Sequence, residues 1–450
     1  MSPPAFGLAI AVSLLSLSAP AKTAATFFSS YDMFEATLTA PLDELFAEIQ
    51  KNPEATVAGT LTYADSANGE EVTIDVAEIS VRGRTSKAET ECTFPKLKLR
   101  FADHSTTGTV FDGMKAVKIG THCGESPDDE LTARFGRWAN EKAPLREAFV
   151  YRLLDVLGVK SFKARPGRIE YVFGKESLVR NAMFLEDDRE AMKRFGMSRE
   201  IEPQQFRSAD RDFAVEDTAK LPFAQALIGN FDWCLRFTPD DKYRCDARRP
   251  LWNILAFADS GSRSIPLMYD FDVSGMVTSR HRWFSRIFYD RFEGKSAPAI
   301  EVLSQVQHTR ALFPRAVLDE TRRAFLSRKD AVMRAFTDAP LDDLGRRVIG
   351  DYIASFFESI ADDKFYAPVV VRPNTRIYAD ANRGSEACGA NSDAPVGTLV
   401  GKPVDTAGDM VHVPVLDVMW RWVPQVNCSA VHTGPVWIER DAIGTDFPPQ

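Results

Sequence analysis

The chain lacks the basic surplus that nucleic-acid-binding proteins carry. Of its 450 residues, 63 are acidic and 55 are basic, and the formal net charge is -8. Such a surface does not attract a phosphate backbone, so we do not expect a nucleic-acid partner. With 44% hydrophobic and 26% charged residues, the composition also excludes disordered, collagenous and multi-span membrane chains, and it is sufficient for at least two ordinary cores.

Several motifs of common enzymes and metal sites are also missing. No Cys-x-x-Cys pair or clustered His–Cys spacing occurs, and the six histidines are scattered, so zinc is not expected. Neither a Gly-x-Ser-x-Gly elbow nor a His-Glu-x-x-His motif is present, which leaves an envelope hydrolase without support. The Gly-x-Gly-x-x-Gly loop is absent, and the basic turn at residues 81–87, with Arg82 and Gly83, is a substitute that could face an anion.

The amino terminus has the pattern of a secretory signal peptide. An apolar run at residues 5–17 is followed by Ala19-Pro20-Ala21, the small-x-small pattern that precedes a cleavage point, so residues 1–21 are predicted to be removed. The run is too short for a spanning helix, and no transmembrane segment is expected afterwards. This predicts a periplasmic or secreted protein.

The six cysteines form an even set, as a disulfide framework requires. Each region of the chain holds two of them. Pairing between neighbours, which an oxidising compartment permits, predicts Cys92 with Cys123, Cys234 with Cys245, and Cys388 with Cys428.

Apolar periodicity predicts a strand-rich first part. Residues 56–119 alternate with period two, which is typical of strands. Residues 143–158 have helical apolar spacing, with Pro near the start and Gly at the end, and predict a helix. Two further strands, at 168–173 and 181–185, lead into the acidic run 186–188.

The later parts of the chain have different apolar patterns, which predict helices first and then short strands. Amphipathic patterns at 311–336 and 341–360 predict a helical lobe. Past Phe365, short strands spaced by turns, among them 420–423, predict a small β-barrel. We therefore predict an α+β fold with a β-rich lobe at 30–196, a helical lobe at 197–364 and a barrel at 365–450.

Acidic residues and one asparagine lie between apolar segments of the second lobe. They are Asp232 in Gly-Asn-Phe-Asp-Trp, Asn253 in Pro-Leu-Trp-Asn-Ile, and Asp270 and Asp272 in Tyr-Asp-Phe-Asp-Val-Ser-Gly. Acids cannot be buried unpaired, so these must emerge together or meet a cation. The set suits phosphoryl transfer, in which one Asp orients a hydroxyl while an Asn and another Asp hold metal ions.

This order of strand lobe, helix, acidic connector and motifs resembles the kinase-like fold of the spore-coat protein H (CotH) family and, more distantly, of HipA-type kinases. The resemblance spans residues 81–277. The end of the chain resembles bacterial Src-homology-type (SH3-like) barrels through Gly434-Pro-Val-Trp-Ile438. Together they imply a two-lobed protein-kinase-like domain with a β-rich N-lobe and a helical C-lobe, followed by a small all-β barrel.

The resemblance implies an exported phosphotransferase that uses ATP with Mg or Mn. Asp232 takes the position of the catalytic base, Asn253 a metal position, and Asp270 and Asp272 the metal-binding loop. The sequence does not decide which of the last two binds directly. The acceptor is expected to be a protein hydroxyl, on a protein substrate or another cell-envelope component.

A kinase-like lobe also needs a cation for the phosphates, held by a helix carboxylate. Lys118, on the strand before the helix that carries Glu147, is predicted to pair with Glu147; Lys98 is the competing lysine. Glu186 is expected at the adenine-side hinge and Arg82 at the cofactor. The alternative function, from another class, is a catalytically inactive kinase fold that serves as an envelope scaffold, with the barrel as its binding element.

Overall fold

The computed structural model describes residues 27–66, 68–83, 87, 92–123, 142–202, 213–230, 232–235, 251–261, 263–278, 306–307, 310, 313–363, 365–389, 392–394, 396–415 and 434–445. The predicted signal peptide and the predicted strand at 420–423 lie outside these ranges. Helices and strands are mixed in the described residues, as predicted. No helix in these ranges is both long and apolar enough to span a bilayer.

Seven strands close into a barrel in the first part of the chain. The order around the barrel is β1-β2-β3-β4-β5-β7-β6, with antiparallel neighbours except for β1 and β6, which close it in parallel. Closure leaves no exposed strand edge. The sequence predicted the strand-rich block but neither β1 nor the closure. The strands are β1 Phe34–Thr39, β2 Thr56–Ala64, β3 Glu71–Val81, β4 Leu97–Phe101, β5 Ala116–Gly120, β6 Ala164–Phe173 and β7 Glu176–Leu185.

Alternation along the strands separates an apolar interior from a charged outer face. On β4, Leu97 and Leu99 are fully buried in the barrel core, so Lys98 between them lies on the other face. Lys98 is the register partner of Lys118 on β5. Two lysines therefore lie side by side on the outer face of the barrel.

Two helices accompany the barrel, α1 at Leu42–Glu48 and α2 at Ala143–Leu157. Helix α2 is the helix predicted at this position. Pro144 lies in its first turn, and Gly158 ends it with a left-handed φ of 68° while its N–H donates to the carbonyls of Leu154 and Asp155. Its buried side packs against β6 and β7, next to the outer face of the barrel.

The segment predicted as a helical lobe contains strands as well as helices. The amphipathic pattern at 311–336 forms two consecutive helices and that at 341–360 forms one, while a buried β-hairpin was not predicted. The elements are α3 Asp188–Arg194, β8 Arg199–Glu200, α4 Val215–Ile228, β9 Cys234–Leu235, β10 Leu251–Trp252, β11 Ile254–Ala258, β12 Ser264–Met268, α5 Gly275–Thr278, α6 Arg315–Ser327, α7 Lys329–Thr337 and α8 Asp343–Ala361.

The last part of the chain forms small sheets around an apolar cluster of its own, which includes Val370, Val413 and Ile438. Strand β13 pairs with β19, β14 with β15, and β16, β17 and β18 form a three-stranded sheet. Short strands were predicted here, and the described residues place them in these separate sheets. The strands are β13 Val369–Val370, β14 Thr375–Arg376, β15 Asp393–Ala394, β16 Asp405–Ala407, β17 Met410–Val413, β18 Val436–Glu439 and β19 Ile443–Gly444.

One predicted disulfide is confirmed. Cys92 and Cys123 are joined, which ties the segment that enters β4 to the segment that leaves β5. Cys234 and Cys388 are also disulfide-bonded, and their expected partners, Cys245 and Cys428, lie outside the described residues.

A fully buried guanidinium ties helix α2 to helix α8. Arg146 is 1% exposed, and its Nε and Nη2 donate to the two carboxylate oxygens of Asp342 at 2.9 and 2.7 Å. Its Nη1 donates to the Val277 carbonyl at 3.1 Å. Asp342 also accepts from the N–H of Gly345 and so caps helix α8. Burial opposes ionisation of Asp342, but the hydrogen bond and charge of Arg146 outweigh it and lower the pKa of this carboxyl.

We expect Arg146→Ala to lower the free energy of unfolding by about 3–5 kcal/mol, because it leaves a partly buried carboxylate without its cation. Urea unfolding at neutral pH measures the change. The matched control is Lys51→Ala, which breaks the exposed pair with Glu48 and should change stability by less than about 1 kcal/mol. Equal effects of the two substitutions would contradict the anchoring role of Arg146.

Candidate functional site

A buried lysine lies between the two acids of the Tyr-Asp-Phe-Asp motif. Lys96 immediately precedes β4, and Asp270 and Asp272 follow β12. The Lys96 Nζ is 3.0 Å from Asp270 Oδ1 and 3.2 Å from Asp272 Oδ2. Lys96 is 8% exposed, whereas the side chains of Asp270 and Asp272 are 37% and 20% exposed, so a buried ammonium meets two carboxylates that water still reaches. The contact joins the barrel to the hairpin β11–β12.

Helix α2 holds the backbone of the acidic turn. The N–H of Asp270 donates to the Tyr151 Oη at 3.1 Å, and the N–H of Phe271 donates to Glu147 Oε1 at 3.3 Å. Glu147 and Tyr151 are four residues apart and therefore lie on one face of α2. Asp270 has a left-handed φ of 61°, a conformation that is uncommon for a non-glycine residue, and the two hydrogen bonds from α2 help to hold it. The position of both acids therefore depends on this helix.

Two glycines allow the two acidic motifs to approach each other closely. Gly275 N–H donates to the Gly229 carbonyl at 2.9 Å, which joins the Asp-x-Asp motif to the Gly-Asn-x-Asp motif. Both glycines press against the ring of Tyr352 on α8, and a Cβ at either position would overlap that ring. The glycines are therefore required by close packing, which explains why each motif contains one.

Asp232 and Asn253 form the second half of the cluster. The Asn253 Nδ2 donates to Asp232 Oδ2 at 3.0 Å and to the Asp232 carbonyl at 2.7 Å, while Trp252 Nε1 donates to Asp232 Oδ1 at 2.9 Å. The hairpin pairs Ile254 with Met268, and the N–H of Tyr269 donates to the Asn253 carbonyl at 3.3 Å. This register places Asp232 and Asn253 beside the start of the Asp270 turn. Trp252 itself is exposed.

Burial and neighbouring charges shift the pKa values of Lys96 and Glu147 in this cluster. Burial alone would lower the pKa of Lys96, but the charges of Asp270, Asp272 and Glu147 outweigh it and hold that pKa above its ordinary value. Burial raises the pKa of Glu147 to about 7, against the opposing charge of Lys96. The pair of aspartates therefore keeps the lysine cationic, while Glu147 carries a proton more readily than an ordinary carboxyl.

Arg82 brings a second cation to the cluster. The backbone N–H of Arg82, next to the end of β3, donates to the Lys96 carbonyl at 2.8 Å. Its charge acts on Lys96, Lys118 and Glu147. Within the part of the chain described, its buried Nε has no hydrogen-bond partner. The Arg82 guanidinium therefore has a donor that none of the described residues uses.

The structure corrects the predicted partner of Lys118. Its Nζ is 2.7 Å from Asp188 Oδ1 and 4.2 Å from the centre of the Phe162 ring, whereas Glu147 lies with Lys96. Burial lowers the pKa of Lys118 against the charge of Asp188. The prediction relied on Lys118 being on the strand that precedes the helix of Glu147. It failed because this order along the chain does not determine which residues of the strands lie next to the helix.

Lys98 on β4 and Glu186 in the acidic connector, residues 186–188, each form an ion pair at the end of β7. Lys98 forms an ion pair with Asp187. The Glu186 carboxylate accepts from Arg194 at 2.6 and 2.9 Å and from the N–H of Lys163 at 3.0 Å. Both predicted residues therefore have partners at the end of β7. Lys96 is two residues before Lys98, and this same-face spacing is the signal that identifies it as a further candidate.

The oxygen atoms of Asp270, Asp272 and Asn253 are of the chemical type that binds Mg²⁺. No group of three or more His, Cys, Asp or Glu side chains in the described ranges is arranged to hold a metal ion. The carboxylates of Asp270 and Asp272 do share one cation, the Lys96 ammonium. The Asn253 amide donates to Asp232 through its nitrogen, so its oxygen is the atom that could bind a metal. Mg²⁺ is commonly held by one or two carboxylates together with substrate phosphates and water, so the two aspartates have the chemistry that Mg²⁺ requires of its protein ligands.

Comparisons with known proteins leave the family open. No protein-family model and no curated protein matches the chain. Among solved structures, the chain is similar to the Helicobacter pylori proinflammatory kinase CtkA, with 7% sequence identity and a TM-score of 0.32 over 58% of this chain and 90% of that one. Similarity at this level carries no argument about function, which therefore depends on the geometry of the site.

We expect Glu147→Gln to become more stable relative to the native protein as the pH rises. With a folded pKa of about 7 against an ordinary 4.5, Glu147 keeps its proton in the folded state over a range in which the unfolded chain loses it. Native stability therefore falls between these values by about 3 kcal/mol. The glutamine keeps the acceptor for Phe271 and removes this loss.

Urea unfolding of both proteins between pH 4.5 and 8, in metal-free buffer, measures the difference. Glu190→Gln, on the neighbouring helix α3, controls for the general effect of one lost charge. A constant difference between the Glu147 variant and the native protein across this range would contradict the prediction.

Proposed function

We propose that this protein is a metal-dependent phosphotransferase that moves a phosphoryl group from ATP to a protein hydroxyl. The observation that carries the proposal is the meeting of Lys96 with Asp270 and Asp272, beside the joined pair Asp232 and Asn253. These side chains come from four separate segments of the chain. Their convergence supplies the cations, carboxylates and amide that phosphoryl transfer uses.

Each residue has a definite task in this proposal. Asp270, Asp272 and the Asn253 oxygen would hold Mg or Mn, which neutralises charge on the phosphates when bound. Lys96 and Arg82 contribute positive charge to the phosphate oxygens. Glu147 and Tyr151 position the acidic turn through its N–H groups. Lys118, Lys98 and Glu186 shape the neighbouring connector, where the adenine would lie.

Asp232 is the proposed base. The P–O bond between the γ-phosphorus and the β-phosphate breaks, a new bond forms to the acceptor oxygen, and Asp232 takes the hydroxyl proton; ADP leaves. Trp252 and Asn253 each donate to the Asp232 carboxylate, and these bonds restrict its orientation, as a base that must meet an acceptor hydroxyl requires.

The surrounding architecture follows the same proposal. The closed barrel with α2 would be the N-lobe, and the hairpin with helices α4 to α8 the C-lobe, of a two-lobed CotH-like kinase fold. The C-terminal sheets would complete a small SH3-like barrel that binds a cell-envelope component. The Cys92–Cys123 disulfide favours an oxidising compartment, in agreement with export to the periplasm or beyond.

We expect Asp232→Asn to lower kcat by about 10² to 10⁴-fold, because the amide cannot accept the hydroxyl proton. Binding of the Mn–nucleotide complex should change little. The assay is transfer of label from ATP with Mn to the protein itself or to a generic substrate. Asp259→Asn, in the turn of the β11–β12 hairpin, is the matched control and should retain native activity.

The assay also separates the proposed enzyme from an inactive scaffold. Nucleotide-dependent thermal stabilisation with and without Mn reports binding independently of transfer. Binding by the native protein without any transfer would favour the scaffold. Equal loss of folding and activity in Asp232→Asn would mean that this residue is structural.

A further inference from the structure

The ammonium of Lys96 stands where the two aspartates of the site converge. Its Nζ is within 3.2 Å of one carboxylate oxygen from each. Any cation that both carboxylates held together would lie close to this point. The lysine is buried and kept charged by these two acids, so it is a persistent occupant of the position.

A divalent ion cannot share this place with the ammonium. Like charges a few ångströms apart repel strongly, and burial of the ammonium reduces the screening that water and salt provide. Metal can enter between both carboxylates only if Lys96 moves away or is removed. The Lys96 ammonium therefore competes with a metal ion for the carboxylates of Asp270 and Asp272.

A polyphosphate offers the ammonium another anion. The neighbouring Arg82, whose buried Nε is without a partner among the described residues, adds to the attraction for phosphate at this point. Lys96 is linked to its backbone by a flexible four-carbon chain and can exchange one anion for another without a change of fold.

We propose that Lys96 is a tethered counter-ion that holds the metal position in the absence of nucleotide and releases it when the phosphates arrive. This inference depends on the proposed function for the metal assignment and adds a regulatory property to it. Metal and nucleotide then bind with positive coupling through the protein, and metal alone binds poorly.

The decisive measurement is the affinity for Mn²⁺ alone, followed by the electron paramagnetic resonance of free Mn²⁺. We expect Lys96→Met to bind Mn²⁺ more tightly than the native protein by about tenfold or more, in the absence of nucleotide. Lys160→Met, which breaks the comparable pair with Asp217, is the matched control and should leave the Mn²⁺ affinity unchanged. Equal Mn²⁺ affinity of Lys96→Met and the native protein overturns the inference.

A second readout covers a variant that does not fold without metal. Removal of Lys96 leaves two carboxylates facing each other, so the apo variant should be destabilised and Mn²⁺ alone should raise its Tm more than that of the native protein. If the apo variant is unfolded, Mn²⁺ alone should restore its folded circular dichroism spectrum. Failure of Mn²⁺ to stabilise or restore the variant overturns the inference.

Failure of the inference and failure of the proposed function give different results. One outcome is that Lys96→Met binds Mn²⁺ tightly while the native protein neither binds nor uses nucleotide. That outcome would support the counter-ion and reject the phosphotransferase. Nucleotide-dependent transfer by the native protein, with no gain of Mn²⁺ affinity in the variant, would support the enzyme and reject the counter-ion.

Discussion

The contact of the buried Lys96 ammonium with Asp270 and Asp272 is the constraint on which the arrangement of the site depends. Charges removed from water must be compensated closely, because a missing partner leaves an unpaired buried ion. The start of β4 and the end of β12 must therefore meet to within hydrogen-bonding distance. The barrel, the hairpin and helix α2 are positioned so that this contact can form.

Helix α2 makes that positioning possible through adjacent residues. Arg146 anchors the helix to Asp342, the N-cap of α8, while Glu147 and Tyr151 bind the N–H groups of the acidic turn. A displacement of the helix would break both sets of bonds together. The disulfide between Cys92 and Cys123 restrains the other side, since it joins the segments next to β4 and β5.

Local patterns predicted much of the secondary structure because local physics determines it. The period-two segments became strands β2 to β5, and Pro144 and Gly158 bound the predicted helix α2. The short strand β1 and the hairpin β11–β12 were missed. Continuous apolar runs such as that of the buried β12 have no period that separates a strand from a buried helix.

The sequence by itself determined which residues could do chemistry: the acids Asp232, Asp270 and Asp272, the amide Asn253, and several lysines near the strand ends. Asp232 with Asn253, and Asp270 with Asp272, are indeed brought to one region. Only the tertiary structure decided which lysine meets them. Lys96, Lys98 and Lys118 share one face of the barrel, and the point at which helix α2 and the acidic turn cross that face selects Lys96. Packing between distant segments sets this crossing, and the local sequence around each lysine does not encode it.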